Sequence, residues 1–142
     1  MAGSASLLWA IAGLVGLVTV APTLDKAIES KASSPASGGF QIERSPDGQF
    51  YTDASAGQVA IRLMVDSGSD KVLLAGPDAE RLGFPTDQGF TNVTLAELAV
   101  GPHRVRNVAA VIAPDLPVSL LGQSFLSRLS HVDLERDRML LR

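Results

Sequence analysis

Asp66-Ser67-Gly68 closes the apolar run Ile61-Arg62-Leu63-Met64-Val65, an unusual place to put a charge. A carboxylate there is desolvated by the strand and held by the donors of a tight turn. A charged group in such surroundings usually has a chemical task. A second apolar run that ends in glycine, Val118-Ser119-Leu120-Leu121-Gly122, follows about half a domain later. By default Asp-Ser-Gly is an ordinary turn, because Asp and Gly suit turns for backbone reasons alone. Its place at a strand end, together with the second run, sets Asp66 apart. Asp53, Asp70, Asp78, Asp87 and Asp115 lack that context and read as solvated turn or helix-start residues. Other chemistries have little material. The chain has no cysteine, which removes disulfides, thiolate nucleophiles and cysteine-based metal sites. His103 and His131 stand alone and read as surface or strand-flanking residues, so neither a histidine triad nor a zinc site is expected. No cofactor and no metal is expected.

The elements that must position Asp66 can be read outward from it. Gly48 to Ala54 reads as a strand, Ser55-Ala56-Gly57 as a turn, and Gln58 to Val65 as the returning strand of a hairpin that delivers Asp66. Lys71-Val72-Leu73-Leu74 is a short buried strand. Pro77 to Gly83 reads as a short helix, with proline near its start and glycine where a C-cap belongs. Asn92 to Val100 and Val105 to Ala113 are two further strands, joined by Gly101-Pro102-His103. Ser124 to Ser130 reads as a second short helix whose Phe125, Leu126 and Leu129 face a core. Val132-Asp133-Leu134 and Met139-Leu140-Leu141 alternate about the charged turn Glu135 to Arg138. Short strands at close spacing with two brief helices describe a small, mostly β domain rather than a parallel α/β sheet.

The chain has 142 residues, of which the first 45 or so do not read as globular. From Met1 to Leu24 there is no charged side chain, and Ala2 to Ala21 has roughly the twenty residues that span a bilayer. An uncleaved signal anchor over residues 1–24 fits better than a signal peptide. The segment has no basic n-region, and Thr19-Val20-Ala21 before Pro22 is a poor cleavage site. Residues 25–45, rich in Ser, Ala, Gly and Pro, read as a flexible linker, with structure beginning near Phe40 or Ile42. Residues 46–142 form the domain, which buries only a modest share of its surface and would gain from dimerisation. The net charge is −3 with Lys and Arg scattered singly, which leaves nucleic-acid binding without an electrostatic footprint.

From about Gly48 to Arg142 the chain resembles the retroviral-type, retropepsin-like (clan AA) aspartic proteases, and most closely their membrane-anchored bacterial branch. Gly48-Gln49-Phe50-Tyr51 resembles the first strand of that branch. Asp66-Ser67-Gly68-Ser69 is similar to its catalytic Asp-Thr/Ser-Gly-Ala/Ser, Ala79 to Gly83 to the helix that follows, and Ser119 to Leu126 to its hydrophobic-hydrophobic-Gly element and closing helix. The resemblance implies a closed β-barrel that is half of an acid protease. It implies an aspartic-type endopeptidase, with Asp66 catalytic and one copy contributed by each subunit of a homodimer. Ser67, Gly68 and Ser69 would support the loop; Leu120, Leu121 and Gly122 would pack beneath it. The substrate would be a polypeptide, and the domain would lie outside the cytoplasm, periplasmic to a bacterial inner membrane. Two positions depart from the pattern. Asp70 stands where Ser or Thr is usual. Phe84 to Ala96 is shorter than the family's substrate-covering flap, and Gly89 is the residue suited to a flap tip. A catalytically weak or inactive peptide-binding or dimerisation module is the competing reading, and an unrelated membrane-anchored β domain a third.

Overall fold

The computed structural model describes residues 39–142. Their elements are β1 (Phe40–Glu43), β2 (Tyr51–Ala56), β3 (Val59–Val65), β4 (Val72–Ala75), α1 (Gly76–Arg81), β5 (Thr91–Val100), β6 (His103–Ala113), β7 (Ser119–Leu121), α2 (Gln123–Leu126), β8 (Val132–Leu134) and β9 (Arg138–Leu141). Alternation builds the barrel wall. In β3, Ile61, Leu63 and Val65 are buried while Arg62 points to water, the two-residue period of a half-buried strand. Closure follows the order β2-β3-β7-β4-β6-β5, with β5 returning to β2, so the wall has no continuous open edge. The interior is filled by side chains such as Leu63, Leu74, Leu98, Val108, Ile112, Leu121 and Phe125, all fully buried.

The β2–β3 hairpin and the β5–β6 hairpin form as expected, with β2 running to Ala56 before it turns. Both helices are present and short: α2 spans Gln123–Leu126 rather than reaching Ser130. Beside the barrel lies a three-stranded antiparallel sheet of order β1-β9-β8. Its first strand falls inside the stretch read as linker. Phe40-Gln41-Ile42-Glu43 alternates, and Phe40↔Leu141 to Glu43↔Arg138 is its register on β9. Ile42 is buried in the main core, so residues 40–43 belong to the folded unit, in line with structure beginning near Phe40 or Ile42 and not with a linker that runs to 45. His103 joins this sheet to the barrel, its Nε2 lying 3.0 Å from the Leu141 carbonyl oxygen. Among the described residues no helix is long and apolar enough to cross a membrane. The segment expected to be an anchor lies outside them.

Candidate active site

Three strands meet where β3 ends. β7 runs parallel to β3, with Val65 beside Leu121, and antiparallel to β4 at Leu120 beside Leu73. Asp66 leaves β3 with its backbone N–H donating to the Leu121 carbonyl oxygen at 3.0 Å, which carries the ladder one residue beyond the strand. The chain then turns over itself: Ser69 N–H donates to the Asp66 carbonyl oxygen at 3.2 Å. Gly68 N–H donates to Asp66 Oδ1 at 3.0 Å. A β-carbon on Gly68 would lie 3.3 Å from that same oxygen, a tight contact that glycine avoids. The Asp66 carboxylate is half-buried, and among the described residues it makes no ion pair.

The loop is fastened from below by the second apolar run. Leu121 and Gly122 are fully buried or nearly so. Gly122 is there because nothing larger fits: a β-carbon would sit 2.2 Å from the Lys71 carbonyl oxygen and 2.6 Å from that of Ser69. No backbone atom can yield that much in a close-packed wall. With the strands so close, Gln123 N–H donates to the Ser69 carbonyl at 2.7 Å and Ser124 N–H to that of Asp70 at 2.9 Å. Gln123 Nε2 donates to the Ser67 carbonyl at 2.9 Å. Thus every residue from Asp66 to Asp70 except Gly68 offers its carbonyl to a partner, and Gly68 offers its N–H to the carboxylate. The loop is held almost entirely by backbone groups, and the side chains of Asp66 and Ser67 are left facing outward.

The residues expected to share the site do come together. Asp66, Ser67, Gly68 and Ser69 form the loop, while Leu120, Leu121 and Gly122 pack beneath it. Ser69 is turned inward along the chain, its hydroxyl donating to the Lys71 carbonyl at 2.9 Å. Asp70 is exposed, as is Lys71, whose Nζ donates to Asn92 Oδ1 at 3.0 Å and ties the loop to the start of β5. The segment before β5 is an irregular loop whose Gly89 has φ 67° and whose Phe90 is 81 % exposed.

Two supporting residues escape sequence reading. Ser124, expected to open a helix, instead sends its hydroxyl to the Ala109 carbonyl at 2.7 Å and accepts the Val72 N–H at 3.0 Å, pinning α2 between β4 and β6. Asp78 is not a solvated helix-start residue. Its carboxylate accepts the buried Ser119 hydroxyl at 2.5 Å and pairs with Arg81. Ser119 also accepts the Ala75 N–H at 2.9 Å, and Arg81 Nη1 donates to the Ala60 carbonyl at 2.6 Å. One carboxylate so links α1, β3, β4 and β7. The signal was available in part, since a serine in a fully apolar strand needs a polar partner.

Comparison with known proteins agrees with this geometry. Residues 52–128 match the family described as "gag-polyprotein putative aspartyl protease". An uncharacterized protein from the cobV 5' region of Sinorhizobium sp is 32% identical over 117 residues, covering 71% of this chain and 50% of that protein. An uncharacterized protein of Rickettsia prowazekii (strain Madrid E) is 30% identical over 114 residues, covering 70% and 49%. The chain thus spans about half the length of the curated relatives it matches. Among solved structures, a retropepsin-like aspartic protease from Rickettsia conorii superposes with a TM-score of 0.67 at 30% identity, over 73% of this chain and 90% of that one. With its closed six-stranded barrel and its Asp-Ser-Gly loop seated on a hydrophobic-hydrophobic-Gly strand, the chain belongs to the retropepsin-like, gag-type aspartyl protease family.

Proposed function

We propose that the protein is an aspartic-type endopeptidase that works as a homodimer, with Asp66 of each copy facing the other across a two-fold axis. The observation that carries this reading is the state of Asp66. It is half-buried at the end of a core strand, it accepts one backbone N–H, and among the described residues no cation engages its remaining lone pairs. One copy has one such loop, so the second carboxylate must come from a second copy, an isologous contact. Two carboxylates about 3 Å apart cannot both ionise and so share a proton. The ionised one takes a proton from a water held between them. The other gives its proton to the carbonyl oxygen of the scissile peptide, and a tetrahedral diol forms. Proton return to the amide nitrogen then breaks the C–N bond. No cofactor enters. Ser67, whose hydroxyl faces outward beside Asp66, would tie the two loops together.

The irregular loop before β5 favours a second reading, a peptide-binding or dimerisation module without turnover, because it contains no strand to cover a substrate and exclude water. Cleavage decides between them. The full chain is expected to cut an unstructured protein with a bell-shaped pH profile whose optimum lies on the acidic side. Asp66→Asn is expected to abolish the cleavage. Turnover that survives Asp66→Asn removes the catalytic assignment, and a folded dimer with no cleavage at any acidic pH establishes the binding module. The proposal places the domain on the periplasmic side of a bacterial inner membrane, tethered by the uncleaved charge-free segment at the N-terminus. Mass spectrometry of membrane-extracted protein tests the tether, and a mature terminus at or near Pro22 would refute it.

A further inference from the structure

The site loop ends on a cation with no carboxylate beside it. Lys71 is the single lysine of residues 39–142, where the other cationic side chains are all arginines. It belongs to the frame of the loop. Its carbonyl accepts the Ser69 hydroxyl at 2.9 Å and occupies the space that a side chain on Gly122 would need. The backbone is therefore held, while the side chain is exposed. Arg62, Arg104 and Arg138 each lie against a carboxylate. Lys71 does not. Among the described residues its Nζ reaches one polar atom, the neutral Oδ1 of Asn92, and no ion pair joins it to Asp66 or to the adjacent Asp70. An ammonium carries three donors, so two stay open to solvent or to a ligand.

Strand register sets where this ammonium stands. Met64, Leu120, Leu73, Val111 and Asn92 are successive cross-strand neighbours over β3, β7, β4, β6 and β5, and so share one face. It is the outer face, because Val65, Val72, Leu74 and Ile112 point into the core. Met64, Leu73 and Val111 are partly exposed there, so an apolar floor crosses four strands and ends on the polar Asn92. Asp66 lies two residues beyond Met64. Lys71 lies two residues before Leu73, on a strand that runs the opposite way. Both steps lead to the same level, so Asp66 and Lys71 stand along one edge of the floor. Neighbouring strands are about 4.8 Å apart, which puts two spacings, about 10 Å, between their backbones. The bond to Asn92 leans Nζ farther off, over β6. That separation is too long for an ion pair with Asp66 and suits a peptide lying between them. An extended chain advances about 3.3 Å per residue, so a side chain two to four residues from a peptide bond held at Asp66 comes within reach of Nζ.

We infer that Lys71 sets substrate choice: it takes the carboxylate of an Asp or Glu side chain two to four residues from the scissile bond. This rests on the endopeptidase reading above and narrows its substrate to acidic stretches of unfolded polypeptide. Asn92 is the resting partner. Its amide oxygen keeps the ammonium over the floor but lacks the full charge that a carboxylate brings. A lone cation on a chain of net charge −3 suits one carboxylate rather than a polyanion, which needs several cations. In a two-fold dimer the second Lys71 stands on the other side of the scissile bond, so acidic residues are favoured on both sides. The side chain is exposed, and exposed ion pairs are weak, which sets the expected preference at about two- to fivefold.

Matched peptides test this on the full chain. Cut sites in an unstructured protein are located by mass spectrometry, and peptide pairs are made with Glu or Gln two, three or four residues from a cut. Near pH 5 a peptide Glu, with an ordinary pKa of about 4.3, is mostly ionised. The ratio of kcat/KM for Glu over Gln is expected to be about two to five at one or more of these positions. It should fall toward one in Lys71→Met, drop below one in Lys71→Glu and persist in Lys71→Arg. It should also shrink in about 1 M salt, where exposed charges are screened. A wild-type ratio of one or less at every position, or a ratio that Lys71→Met leaves in place, overturns the assignment. Failure of the protease reading looks different. If nothing is cut, fluorescence anisotropy of labelled Glu and Gln peptides replaces cleavage as the readout. A Glu preference in binding that Lys71→Met removes keeps the role of Lys71 and loses the protease, and equal binding of the two peptides overturns that role. Asp66-dependent cleavage with no Glu preference keeps the protease and loses the selection by Lys71.

Discussion

Strand β3 leads into Asp66 and strand β4 runs into a helix that carries Asp78, and the two carboxylates are treated in opposite ways. Asp78 has its oxygens committed: one accepts the Ser119 hydroxyl, the other pairs with Arg81, and the side chain is only 14% exposed. Asp66 sits on a loop fastened by backbone groups, and among the described residues a single glycine N–H reaches its carboxylate. The difference teaches how to tell a structural carboxylate from an available one. The first holds other elements in place. The second is itself held in place, and its oxygens are left open.

Each variant either breaks that contrast or sharpens it. Asp66→Asn should reduce turnover by roughly 10²- to 10⁴-fold, the range of a lost general acid–base group, while thermal unfolding stays within about 0.5 kcal/mol of wild type. A large fall in melting temperature would put Asp66 with Asp78 as a structural residue. Asp78→Ala should do the reverse. It leaves a buried hydroxyl without its acceptor and should cost about 1–3 kcal/mol in denaturant unfolding. The pH profile of whatever activity remains should not move, and a shifted profile would mean that Asp78 acts on the chemistry. Asp70→Ser, at the exposed end of the loop, should leave activity unchanged or raise it. Loss of turnover equal to that of Asp66→Asn would contradict the assignment of the site.

The smallest effect belongs to a third carboxylate, on the surface. Asp47 accepts the Tyr51 hydroxyl at 2.6 Å, and that hydrogen bond holds its pKa below the ordinary 3.8 and pushes the Tyr51 phenol above 10.0. The signs follow from linkage. The Asp47 contribution is present above pH 3.8 and is lost as pH falls through the lower folded value. The Tyr51 contribution is complete below pH 10.0 and is lost as pH rises through its higher folded value. Ultraviolet titration of Tyr51 should show a lower phenol pKa in Asp47→Ala, and an unmoved titration would mean the pair does not persist in solution.

Much of this fold lay open in the sequence because its cues are local. The alternation of Val59 to Val65, the hairpin turn at Gly57 and the apolar run into Gly122 each depend on near neighbours, and each element formed where expected. The site loop was legible for the same reason. What escaped depends on distance along the chain. Asp78 becomes structural only through Ser119, 41 residues on, and a helix-start aspartate looks alike with or without such a partner. β1 begins where structure was expected to begin, but its pairing strand lies at the far end of the domain, so the sequence alone does not show what Phe40 to Glu43 pair with. Ser124 sits at a helix start, where serine usually caps, and only the approach of β4 and β6 diverts its hydroxyl.

Gly122 will confuse any survey of tolerated substitutions. A map of which positions accept change will mark it as strictly as Asp66, since even alanine drives a carbon into two carbonyl oxygens. The two intolerances have different origins, and purified protein separates them. Variants at Asp66 should accumulate as well-folded, inert molecules, while variants at Gly122 should fail to accumulate at all. Abundance, read alongside activity, therefore distinguishes a position constrained by shape from one constrained by reactivity.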